Sequence, residues 1–266
     1  MSVAAYELPK KSRGERVWDR ILRASLELPG AKVDRASFLA SQLSNYCNEE
    51  QVCKAIRLRP AAAGVPSDVI DRRANASIRS HVLRASGISF AAGLPGGWAM
   101  AGTIPADVAQ FYWHALVLAQ KLAYLYGWPD ILDGGEVDEE TEIHLTLLVG
   151  AMMGAVTARR SLTELARRFA EQTAHRLPRQ ALTKTAYYPI VKKVAAWIGI
   201  KITKRTFAGG LSKVVPVIGG VLSAGVTAAM MRPMAKRLKN HLRTLRYALA
   251  DEQEGEAMAK QSQREG

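Results

Sequence analysis

Apolar residues recur at helical spacing along nearly the whole chain, and strand-like alternation is almost absent. That pattern restricts the chain to all-α architectures, in which each helix buries one stripe against its neighbours. Residues 13–28 set it with Val17, Ile21, Leu22, Leu26 and Leu28, and Pro29-Gly30 ends it. Further helical stretches follow at about 33–47 and 49–58. After a Pro- and Ala-rich connection at 59–66, Ser67 and Asp68 start another, which reaches about residue 85. The clearest helix is PADVAQFYWHALVLAQKLAYLYG, 105–127. Pro105 suits a first turn, Asp107 suits the positive end of the helix dipole, and Gly127 with Pro129 closes the segment. Helices are also expected at about 137–157, 161–176, 178–212 with interruptions, and 232–249. The expectation is a single all-α globular domain of about ten helices. Its parts would be an N-terminal helical region at 1–85, a main helical body at 86–250 and a disordered polar tail at 251–266.

Two apolar, glycine-rich segments interrupt this regular picture: GGWAMAG at 96–102 and GGVLSAG at 219–225. Around them, small residues recur four apart and so share a helix face. One row is Gly93, Gly97 and Ala101, a second is Gly150, Gly154 and Ala158, and a third is Gly220, Ala224 and Ala228. Such rows let helix backbones approach closely, either in a membrane or in a dense core of the protein's own. Both readings stay open on the sequence. The run 214–231, uncharged between Lys213 and Arg232, reaches the lower edge of a transmembrane length. Its few strongly hydrophobic side chains, its Pro216 and its basic flanks on both sides argue against a span. An interfacial or reversibly inserting segment is expected instead.

Charge says what kind of surface the chain meets. The net charge is +13, but residues 87–157 are acidic, at −7, while residues 158–250 carry +17. A basic block of that size points to polyanions. Within it, RPMAKRLKNHLRTLRYAL places Leu238, Leu242, Leu245 and Leu249 on one helix face and basic residues on the other. This is the pattern of a helix lying on an anionic membrane, with Lys213, Arg232, Lys236, Arg237, Lys239 and Arg243 as the lipid-facing cations. It is equally the pattern of a surface helix docked on its own core. Nucleic acid is a weaker partner, because no helix-turn-helix, zinc finger or aromatic platform is evident. Cys47 and Cys53 form neither a disulfide framework nor a zinc pattern, and the N-terminus lacks an apolar signal region. The expected place is the cytoplasm, peripherally at the inner face of the cell membrane.

Candidate chemistry is sparse. Asp107, Gln110, His114 and Lys121 fall within a stripe about 60° wide on the 105–127 helix. Glu140 and His144, four apart on the next helix, would meet it. By ligand type, Asp107, His114, Glu140 and His144 make an acceptable metal set, although their spacing matches no metal motif. They define the alternative to a binding protein: a metal-dependent or lipid-acting hydrolase. No P-loop, dinucleotide fingerprint or nucleophile elbow is present, and no cofactor is expected.

The segment GLPGGWAMAGTIPADVAQFYWHALVLAQKLAYLYGW (93–128), the acidic loop after it, and KVVPVIGGVLSAGVTAAMMRPMAKRL (213–238) resemble the EcsC family of bacterial proteins. The resemblance covers about residues 80–250. It implies a helical protein accessory to an ABC-type membrane transporter. It carries over no catalytic residue, since the family's activity is not established. Asp107 lies in the matching Pro-Ala-Asp and is the polar position it singles out.

Overall fold

The helix Ala106–Leu125 is apolar on nearly every side, and such a helix must be surrounded. In the computed structural model, which describes residues 11–92, 106–132, 137–174, 184–209 and 225–245, it runs through the centre of the molecule. The described residues form nine helices and no strand: α1 (Arg13–Leu26), α2 (Arg35–Leu43), α3 (Glu49–Arg57), α4 (Ser67–Ala92), α5 (Ala106–Leu125), α6 (Glu139–Met153), α7 (Val156–Ala174), α8 (Lys184–Gly209) and α9 (225–245). The all-α domain expected from the periodicity is what the chain builds, with nine described helices against about ten expected. One core cluster extends from Trp18 in α1 to Leu245 in α9. The boundary drawn at 85/86 falls inside α4, and the expected tail 251–266 lies outside the described residues.

Local chemistry sets the helix ends. Ser12 and Glu15 close a reciprocal capping box at α1, Asn48 and Gln51 another at α3, and Asp34 and Asp138 cap α2 and α6. α4 and α1 pack on α5, α6 is buried along its whole length from Ile143 to Met153, and α7 and α8 cover α6. Two buried polar side chains pin the irregular parts to this frame. Gln120 of α5 accepts from the Val33 amide at 3.1 Å and donates to the Ala31 carbonyl at 2.9 Å, which fixes the turn after α1. Arg35 donates to carbonyls of Ala55, Ile56 and Leu58 at the end of α3 and to Trp128 past the end of α5. A guanidinium with five donors suits a cluster of orphan carbonyls at a helix C-terminus.

Among the described residues, α1 and α8 cross backbone against backbone. A β-carbon on Gly14 would fall within 3.0 Å of the backbone of Ala196, and one on Gly199 would strike the backbone of Gly14. Neither glycine belongs to the small-residue rows read from the sequence. Of those rows, Gly93, Gly97, Ala101, Gly220 and Ala224 lie outside the described residues, and Ala228 is half-buried in α9 against the core. The row Gly150, Gly154, Ala158 is corrected, because it is not one helix face. Gly154 ends α6 with φ +97°, a left-handed cap that glycine adopts without strain, and Ala158 belongs to α7. Gly150 is nevertheless a close-packing position, since a β-carbon there would sit 2.5 Å from Val194 Cγ1 and 3.0 Å from the Ala158 methyl.

No helix among the described residues is long and apolar enough to cross a membrane. Residues 214–224 of the uncharged run lie outside them, and 225–231 begin α9. The leucine face of α9 points inward: Leu238, Leu242 and Leu245 are buried with Met231, Met234 and Ala235. That face is occupied by the protein's own core and is not free for lipid, while Leu249 is outside the described residues.

Candidate functional site

The polar stripe of α5 meets α4, not α6. Nδ1 of His114 stands 3.2 Å from Nδ1 of His81 on α4, and Nε2 of His81 stands 3.1 Å from Nζ of Lys121. Lys121 follows His114 by seven positions, two helical turns, so both reach the same neighbouring helix and bracket one imidazole between them. Both histidines are only 2% exposed. Burial, the Lys121 charge, then His114 and Arg84 push His81 down to about 3. Burial, Arg84 and Lys121 bring His114 down to about 4. Burial and the Arg84 charge also lower Lys121. The histidines are therefore neutral near pH 7.

Neutral imidazoles have one donor and one acceptor, so the row has a polarity. The Lys121 ammonium only donates, so His81 accepts at Nε2 and carries its proton on Nδ1. His81 Nδ1–H then donates to His114 Nδ1, which leaves the His114 proton on Nε2. That Nε2 is buried and has no hydrogen-bond partner among the described residues. His114 itself lines an open cleft of about 480 Å³ between the turn after α1, α4 and α5. Leu28 and Pro29 supply one side, Arg84 and Gly87 of α4 another, and Gln110, Trp113 and His114 of α5 the third. The indole N–H of Trp113 is likewise buried without a partner among the described residues.

The four-residue set proposed for metal or hydrolytic chemistry does not assemble around His114. His144 is buried beyond the other end of α5, edge-on to Trp128 at 6.5 Å and to Phe169 at 5.9 Å between ring centroids. From His114 to the end of α5 is already roughly 16 Å along the helix axis. Glu140 sits half-buried one turn before His144, and the side chain of Asp107 lies outside the described residues. No group of three or more His, Cys, Asp or Glu among the described residues is arranged to hold a metal ion. His81 was the residue missed in the sequence. It occupies the core row Ala74, Ile78, Val82, Ala85 of α4, and the only signal was a histidine standing in an apolar stripe.

The basic candidates separate into structural and free groups. Arg237 donates from Nη1 to the Met152 carbonyl at 3.0 Å, and Lys201 to the Met153 carbonyl at 2.9 Å, so two cations close the C-terminal end of α6. Lys239 is buried and bonds Asn75 at 2.9 Å, and Arg243 lies 3.4 Å from Asp71, which also accepts from Tyr126 at 2.6 Å. Arg232 and Lys236 are exposed, and Lys213 is outside the described residues. The exposed basic and aromatic surface lies instead on α8. Pro189, Lys193, Trp197 and Ile200 follow one another at helical steps on its solvent face, with Trp197 36% and Ile200 51% exposed. Lys201 stacks on Trp197 at 4.3 Å, and Lys192 on Tyr188 at 4.5 Å. Beside it, α1 exposes Arg13, Arg16 and Arg20.

With this geometry in hand, comparison with protein-family models, with curated proteins and with solved structures finds no match to the chain.

Proposed function

We propose that the protein attaches peripherally to anionic membrane through the outer face of α8. The observation that carries this reading is the exposed row Lys193, Trp197, Ile200, with Lys201 held on the Trp197 ring. Tryptophan and lysine together suit the headgroup boundary, where the indole sits at the apolar edge and the ammonium meets phosphate. The mode differs from the one expected of α9. There the leucines are buried and three of the cations hold other parts of the fold. A role as accessory to a membrane transporter, which the EcsC resemblance implies, needs the same attachment plus a protein partner.

Co-sedimentation of the full chain with phosphatidylglycerol or phosphatidylcholine vesicles tests it. Binding is expected to the anionic vesicles alone and to be removed by salt. The double variant Lys193→Gln, Trp197→Ala should weaken binding about tenfold or more, from about 1 kcal/mol for the charge plus the lost indole. Its stability should stay within about 0.5 kcal/mol, as for exposed substitutions generally. Unchanged binding in that variant would remove α8 as the contact surface.

A further inference from the structure

The cleft beside His114 is lined by residues that carry unmatched donors. His114 Nε2–H and Trp113 Nε1–H are both buried, and neither has a partner among the described residues. Arg84 adds a cation to the lining and Gln110 an amide, and none of the described lining residues is a carboxylate. Orphan buried N–H groups are costly, and native structures keep few of them. The remaining walls, Leu28, Pro29 and the Trp113 ring, are apolar. We propose that this cleft is a binding site for a small amphiphilic anion. It would place a carboxylate or phosphate oxygen on His114 Nε2–H beside Arg84 and lay an apolar body against Leu28, Pro29 and Trp113.

The Lys121–His81–His114 row is what makes the site selective for an acceptor. A lone neutral histidine can present either nitrogen as donor or acceptor, and so takes ligands of both kinds. Here the ammonium at the far end sets His81, and His81 sets His114, so the unpaired His114 nitrogen carries a proton. Lys121 and His81 are thus positioning residues that act through His114. The site is separate from the exposed face of α8, and its failure would leave the membrane reading standing.

The test uses the full chain with decanoate, decyl phosphate, decanol and decyltrimethylammonium, each below its micelle concentration, read by Trp fluorescence and by thermal shift. Decanoate or decyl phosphate should bind and decanol and the cation should not, and the stronger of the two anions identifies the headgroup. Trp113→Phe should remove most of the fluorescence change. Arg84→Gln, an exposed substitution that leaves the fold alone, should weaken anion binding about tenfold, the worth of one charge-assisted bond. In nitrogen-15 spectra of the histidines, His114 should show its Nε2–H tautomer and shift on adding the anion. Lys121→Gln should lower affinity and disperse that tautomer. Lys193→Gln with Trp197→Ala should leave anion binding unchanged. Equal binding of decanol, anion binding indifferent to Arg84→Gln, or no binding of either anion would each overturn the proposal.

Discussion

The crossing of α1 and α8 and the face between α4 and α5 solve the same packing problem in opposite ways. At the first, Gly14 and Gly199 bring two backbones into contact, and no room remains for a methyl group on either. At the second, the helices also pack closely along most of their length, but they part around a cleft of about 480 Å³, where two N–H groups have no partner among the described residues. A glycine serves both places. Gly199 is required because another backbone occupies the space of its side chain, whereas Gly87 lines the cleft and has nothing within 4 Å of where a β-carbon would be. The contrast separates a region shaped for stability from one shaped for a ligand.

The largest effect should come from filling the tight crossing. Gly199→Ala and Gly14→Ala force backbone against backbone, which no rotamer change relieves, and each should cost about 3 kcal/mol or more in chemical denaturation. Gly150→Ala meets a valine side chain that can shift, so about 1–3 kcal/mol is expected. If Gly199→Ala were as stable as the parent, the two regions would not differ in the way described.

Acid should act next, and the histidine pair of the cleft face should carry a distinct part of its effect. His81 and His114 bind protons more readily in the unfolded chain, near pH 6.5, than in the folded one, near 3 and 4. The unfolded state therefore carries more protons as pH falls below 6.5, and stability contributed by this pair is full above that value and declines toward pH 3–4. His81→Gln keeps a hydrogen-bonding side chain and removes one titrating group, so its stability should fall less steeply over that window. A pH–stability curve parallel to the parent's would show that the histidines do not carry the dependence.

The smallest effect is expected from Gly87→Ala. The side chain enters open space in a helix interior, so stability should rise by up to about 1 kcal/mol from helix propensity and reduced freedom of the unfolded chain. The same methyl group placed in the cleft should alter anion binding, which sharpens the comparison with Gly199.

Much of this fold was legible before any coordinates. Helix periods, caps and breakers follow from neighbours in the chain, so α1, α3 and α5 begin and end within a few residues of where the pattern put them. Gly154 shows the limit: four-residue spacing suggested a helix face, but the residue is the left-handed stop between α6 and α7. Half of the candidate site was visible as well. The stripe of Gln110, His114 and Lys121 on α5 follows from the period of one helix, and two of its members line the cleft. Its partner was placed on α6, through Glu140 and His144, when it lies on α4 in His81.

Local pattern established which residues form helices and which stripes are apolar, because these depend on residues three and four positions apart, and composition alone gave the charge of the last third. Which helix faces which depended on the packed molecule. Gly14 meets Gly199, and His81 meets His114, across separations no periodicity spans. The fate of the basic block was settled in the same way. A cation is free or committed according to the carbonyl or carboxylate that tertiary packing sets beside it, and packing set Met152 beside Arg237 and Asp71 beside Arg243 while leaving Lys193 in solvent.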